Sequence, residues 1–162
     1  MRTSNILSVA AAASSLALGA CNPFHHDPVT EVSRDAYANT RWRASLVTPA
    51  SLAGAVQMNG TAIMQPGRTT GTTDLSLNIG NATPGGLHPW QVRRGQCGMD
   101  EGVVASAESY KPVKIGDNGR GSVTATIPML TPTSGNYFVT VQASAANSET
   151  IVACGNLAPP AA

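Results

Sequence analysis

Apolar and polar positions alternate in short runs through most of this chain. Asp74-Leu75-Ser76-Leu77-Asn78-Ile79 puts every second side chain on one apolar face, and Ser122-Val123-Thr124-Ala125-Thr126-Ile127 repeats the pattern. A period of two is the signature of a half-buried strand. Leu46-Val47, the run Leu52 to Met58, Thr61 to Met64, Tyr137 to Val141 and Ile151 to Ala153 add further β-like segments between clusters of Gly, Pro, Asn and Thr. Asn59-Gly60, a dipeptide favoured in type I′ hairpins, predicts a turn ahead of Thr61. Asp117-Asn118-Gly119 predicts another, and the Thr and Gly residues between Pro66 and Thr73 predict a loop. Glu31 to Arg43 is a charged stretch suited at most to a short helix, and no helical stripe of useful length follows it. Seven or eight strands at this spacing predict an all-β domain, an antiparallel sandwich or flattened barrel.

The first twenty residues break the pattern. Arg2 precedes an uncharged, Ala-rich apolar run from Ile6 to Leu18, the arrangement of a secretory signal peptide. The run ends in Leu18-Gly19-Ala20-Cys21, which resembles the lipobox of bacterial lipoproteins. That resemblance implies acylation of Cys21 on sulfur and its exposure as the mature N-terminus. Each buried lipid CH₂ contributes about 0.8 kcal/mol, so two or more acyl chains hold a protein on a membrane without a spanning helix. Asn22, where an Asp would favour retention at the inner membrane, implies by likeness to lipoproteins of diderm bacteria an outer-membrane anchor facing the periplasm. The expected organisation is a signal peptide over 1–20, a lipidated N-terminus and flexible tether over 21–41, a β domain over 42–158 and a tail over 159–162. A tether of that length reaches roughly 25 Å.

Composition narrows the choice of partner. With 42% apolar and 12% charged residues the chain suits one packed domain. A formal net charge of +1, without runs of like charge and with few aromatic residues, argues against nucleic acid, which requires clustered cations. Arg93, Arg94, Lys111, Lys114 and Arg120 offer a modest basic patch for an anionic envelope component, although scattered solubilising charge accounts better for so few cations. With Cys21 assigned to lipid, Cys97 and Cys154 remain as an even pair in an exported, oxidising compartment, which predicts a disulfide. Two free thiols at a metal are the alternative, but Cys-x-x-Cys spacing is absent. No Gly-x-Ser-x-Gly elbow supports a hydrolase.

Gly86-Leu87-His88-Pro89-Trp90-Gln91-Val92-Arg93, Cys97, the turn Gly116 to Gly121 and Ala153-Cys154-Gly155 together resemble the copper/zinc superoxide dismutase family, over about Leu52 to Leu157. The resemblance implies an eight-stranded Greek-key barrel and pairs Cys97 with Cys154 as the intrasubunit disulfide. The family motif reads Gly-Leu-His-Gly-Phe-His-Val-His, so two copper-binding imidazoles fall on Gln91 and Arg93, and a third falls on Gln142. The loop from Cys97 to Lys111 contains no histidine, only Asp100, Glu101 and Glu108 as anionic candidates, and the family's guide arginine is replaced by Ile151. Copper chemistry in one site demands neutral imidazoles. An amide is a poor ligand and a permanently cationic guanidinium repels the metal.

The resemblance therefore predicts a barrel without copper or zinc cofactors and without a catalytic set. His88 falls on the family's non-ligand histidine, which implies a structural role through backbone hydrogen bonds. His25 and His26, with Asp27, are the remaining candidates for weak metal capture, or for a divergent metal-binding antioxidant enzyme. A tight site there would need three or four preorganised ligands. The expected function is non-catalytic, in binding or envelope structure. The expected partners are the membrane through Cys21 and either an envelope component or an anionic small ligand held by Arg93 and the two amides.

Overall fold

Residues 40–160 are described by a computed structural model, and within them the alternating segments form ten strands: β1 (Trp42–Val47), β2 (Asn59–Pro66), β3 (Thr73–Gly80), β4 (Leu87–His88), β5 (Trp90–Gln96), β6 (Met99–Val103), β7 (Val113–Lys114), β8 (Gly121–Ile127), β9 (Tyr137–Ser144) and β10 (Asn147–Leu157). Eight of them make one curled antiparallel sheet in the order β6-β5-β9-β10-β1-β2-β3-β8, and β4 pairs with β7 as a separate ribbon. The meander β1-β2-β3 is followed by connections that leap across the sheet, from β3 to β5, from β6 to β8 and back to β9. Such non-neighbour connections are of the Greek-key kind rather than up-and-down.

Alternation explains why the sheet curls. Trp42, Leu46, Met64, Leu77, Ile127, Trp90, Val92, Val139 and Val141, from six different strands, are at most 1% exposed and belong to one core cluster. Among the described residues no α-helix covers them. The sheet hides this face by wrapping it on itself, with Val113 of β7 and the loop residues Ala82, Tyr110 and Ile115 closing the rest, and inward and outward residues then alternate along each strand.

Two indoles fix the long connections. Trp42 donates Nε1–H to the Pro132 carbonyl at 2.8 Å and packs edge-on against Tyr137, ring centroids 5.4 Å apart. Trp90 donates to the Lys111 carbonyl at 2.9 Å and meets Tyr110 edge-on at 5.2 Å. A buried indole N–H needs an acceptor. Each tryptophan thereby draws one loop over the core.

Three expectations need correction. Asn59-Gly60 is not a hairpin turn but the start of β2, paired with Gly80 and Ile79. A Cβ on Gly60 would lie 2.4 Å from the Asn78 carbonyl oxygen, so the glycine serves a close strand approach. The apolar run Leu52 to Met58 does not pair as a strand: a 3₁₀ turn over Ala50–Leu52 opens the β1–β2 connection. The end of the charged stretch, Trp42 and Arg43, is extended in β1 and pairs with Met64 and Ile63, because the indole is core. The earlier part of that stretch, together with Cys21, His25 and His26, lies outside the described residues.

Cys97 and Cys154 form a disulfide with Cα atoms 6.0 Å apart and 57 residues of separation. Cys97 follows β5 and Cys154 lies in β10, so the bridge passes over β9, the strand between them. The Cys97 amide also donates to Asn156 Oδ1 at 2.8 Å. Replacing both cysteines by alanine is expected to lower stability by about 4 kcal/mol, from the chain entropy of a loop of this length. Equilibrium urea unfolding checks this, and an unchanged midpoint would mean that the bridge closes no entropically costly loop.

Candidate functional site

Strand alternation places a polar set on the outside of β5 and β9. Trp90 and Val92 point inward on β5, leaving Gln91 and Arg93 outside, and Val139 and Val141 point inward on β9, leaving Thr140 and Gln142 outside. Gln91 pairs directly with Thr140, and Gln142 with Ile151 of β10. Directly paired residues share a face. A register shift between Ile151 and Ala153 lets both Val152 and Ala153 enter the core while Ile151 and Cys154 stay on the outer side.

A second irregularity supplies the acid. The β5–β6 pairing slips by one residue between Arg93↔Val103 and Gly95↔Asp100. Gly95 sits at φ 96°, where a Cβ would meet the Met99 carbonyl oxygen at 2.1 Å, so only glycine fits there. The slip sets Asp100 against the guanidinium. Arg93 Nε donates to Asp100 Oδ1 at 2.9 Å, Nη2 donates to Oδ2, and Nη1 donates to Gln91 Oε1 at 2.8 Å. The Gly102 amide adds a bond to Oδ1 at 2.9 Å. The hydrogen bonds from Arg93, and then that from Gly102, hold the Asp100 carboxyl below the usual carboxylate range. The pair is open to solvent, so its contribution to stability is at most about 1 kcal/mol.

Gln91, Arg93 and Gln142 line one hollow of ≈ 270 Å³ together with Asp100, Thr140, Ser148, Glu149 and Ile151. The structure therefore brings together the three positions singled out by sequence and adds residues that sequence reasoning missed. In the sequence Asp100 is only one of three anionic candidates; its pairing with Arg93 depends on a one-residue slip that no local pattern announces. Thr140 and Glu149 had no signal beyond ordinary strand and turn polarity. Thr140 is fully buried and Gln142 is 6% exposed, and Thr140 Oγ1 and Gln142 Oε1 have no protein hydrogen-bond partner.

His88 lies behind this strand. Its Nδ1 is 3.0 Å from the Gln142 carbonyl oxygen, which can only accept, so Nδ1 carries the proton. The Gln142 amide donates to the Pro89 carbonyl at 2.8 Å. Both backbone groups of Gln142 are thus held by the His88-Pro89 segment. Gly86 leaves room for the ring, since a Cβ there would approach His88 Nε2 to 2.6 Å. The disulfide and Phe138, which is buried but outside the main core cluster, lie on the outer face beside the hollow.

Among the described residues no group of three or more His, Cys, Asp or Glu side chains is gathered for a metal ion. The donors lining the hollow, two carboxamides, two hydroxyls, two carboxylates and an engaged guanidinium, do not suit copper, whose affinity rests on imidazole or sulfur. Compared with known proteins, the chain matches no family model and no curated protein.

A buried hydroxyl without a partner costs about 1–3 kcal/mol. Thr140→Val keeps the shape and removes that hydroxyl, and is expected to raise stability by about 1 kcal/mol in urea unfolding. A loss of stability instead would show that Oγ1 has a partner in solution.

Proposed function

We propose that this chain is a non-catalytic, membrane-anchored lipoprotein whose β domain is a superoxide dismutase-like scaffold used for binding or envelope structure. The observation that carries this reading is the convergence of Gln91, Arg93 and Gln142 on one hollow. On the family likeness these are the three copper-ligand positions. Their convergence supports the residue correspondence, and the hydrogen bonds of Arg93 to Asp100 and Gln91 place the side chain's own positive charge among the oxygens there. The sheet order, the Cys97–Cys154 bridge and the bond from His88 to the Gln142 carbonyl support the same likeness.

The lipobox-like run ending at Cys21 supports the anchor, and Asn22, by likeness to lipoproteins of diderm bacteria, supports an outer-membrane address facing the periplasm. The competing reading, a divergent metal-binding antioxidant enzyme, has to draw its imidazoles from His25 and His26. The full chain is expected to carry no stoichiometric copper or zinc after dialysis and to dismutate superoxide at the background rate. Elemental analysis finding near one ion per chain would overturn the non-catalytic reading in favour of its competitor. In an expressing diderm bacterium, Cys21→Ser is expected to move the protein from the membrane fraction to the soluble one, and full retention at the membrane would sink the anchor.

A further inference from the structure

The charges around the hollow bear on what it binds. Arg93 already directs three of its five N–H groups to Asp100 and Gln91, so its positive charge is balanced inside the protein. Glu149 also lines the hollow, and Arg93–Asp100 is the salt bridge found among the described residues, so the Glu149 carboxylate has no cation there. The balance left for a ligand is one negative charge. To it are added two buried oxygens without partners, Gln142 Oε1 and Thr140 Oγ1. An anion would meet an uncompensated carboxylate and would find the guanidinium engaged. A group with several N–H donors and a positive charge meets the opposite situation.

Resting on the reading of this hollow as a binding site, we propose that it takes a small organic cation with a primary ammonium group. An ammonium has three donors and no acceptor, matching the Glu149 carboxylate and the oxygens of Gln142 and Thr140. Ile151 offers an apolar wall for the attached alkyl chain. Hydrogen bonds in which one partner is ionised are the stronger kind. The ammonium therefore gains most where it satisfies oxygens that are otherwise unmatched.

The test is a set of titrations of the ¹⁵N-labelled full chain at constant ionic strength, with methylammonium, tetramethylammonium, inorganic phosphate and glycerol as probes. Methylammonium is expected to give saturable shifts at Thr140 and at the side-chain amides of Gln91 and Gln142. Tetramethylammonium, which has the charge but no N–H, and phosphate are expected to give none. Glu149→Gln, an exposed position that leaves folding intact, is expected to weaken methylammonium about tenfold, and Gln142→Leu to weaken it comparably. Equal binding of tetramethylammonium, or no effect of Glu149→Gln, overturns the ammonium assignment. Saturation by phosphate or glycerol in place of methylammonium also overturns it, while leaving the wider binding reading standing. Saturation by none of the four probes overturns both.

Discussion

Among the described residues no helix covers the sheet, which hides one face by bending it onto itself while the β4–β7 ribbon and loops close the rest. Here this demand makes the inward positions of the β strands apolar, from Trp42 and Leu46 through Leu75, Leu77 and Ile79 to Val139 and Val141. The polar exception shows how strict the demand is. Thr73 is fully buried, and its hydroxyl is shared between the Met129 carbonyl and Thr131 Oγ1, both at 2.8 Å. Polar chemistry is thereby displaced to the outer face, and a slip of one residue in β9 would exchange Val139 and Val141 for Thr140 and Gln142 in the core.

The outer face of β5, β9 and β10 is nevertheless not an ordinary wet surface. Phe138, Thr140, Gln142 and Cys154 are all buried there. The disulfide binds the start of the β5–β6 hairpin to β10, and the turn between β9 and β10 brings Ser148 and Glu149 to the same hollow. Covering polar side chains in this way costs stability unless each finds a partner. Gln91, Arg93 and Asp100 satisfy one another; Thr140 and Gln142 do not. The unmatched oxygens are thus buried ones, on residues that line the hollow.

Where a strand has one wet face its period is plain in the residues, and β3 and β8 lie where alternation puts them. Gln91, Arg93 and Gln142, the three positions singled out in the sequence, line one hollow. The misreadings have physical causes. Asn59-Gly60 carries a turn-favouring dipeptide, but its glycine is needed because the Asn78 carbonyl crowds it from the next strand, a tertiary fact absent from local sequence. Leu52 to Met58 is apolar enough for a strand yet follows Pro49 into a 3₁₀ turn. The partner of Arg93 was not legible because a slip at Gly95 decides which residue of β6 lies opposite. β6, over Met99–Val103, likewise falls in the Cys97 to Lys111 segment read as a loop, because it carries no apolar alternation and only its pairing with β5 makes it a strand.

The same slip gives the hollow a fixed electrostatic character. A guanidinium stays protonated throughout the range in which proteins fold, and Asp100 is held ionised below the ordinary carboxylate range by the bonds it accepts. The pair links β5 to β6 at the surface, gathering the Gln91 oxygen and the Asp100 carboxylate around one positive charge. A metal ion could gather oxygens in a comparable way, but it would bring exchangeable ligands and, for copper, two oxidation states. Arginine brings neither. Beside the pair, Gln142 Oε1 and Thr140 Oγ1 keep no protein partner, and Glu149 lines the same hollow.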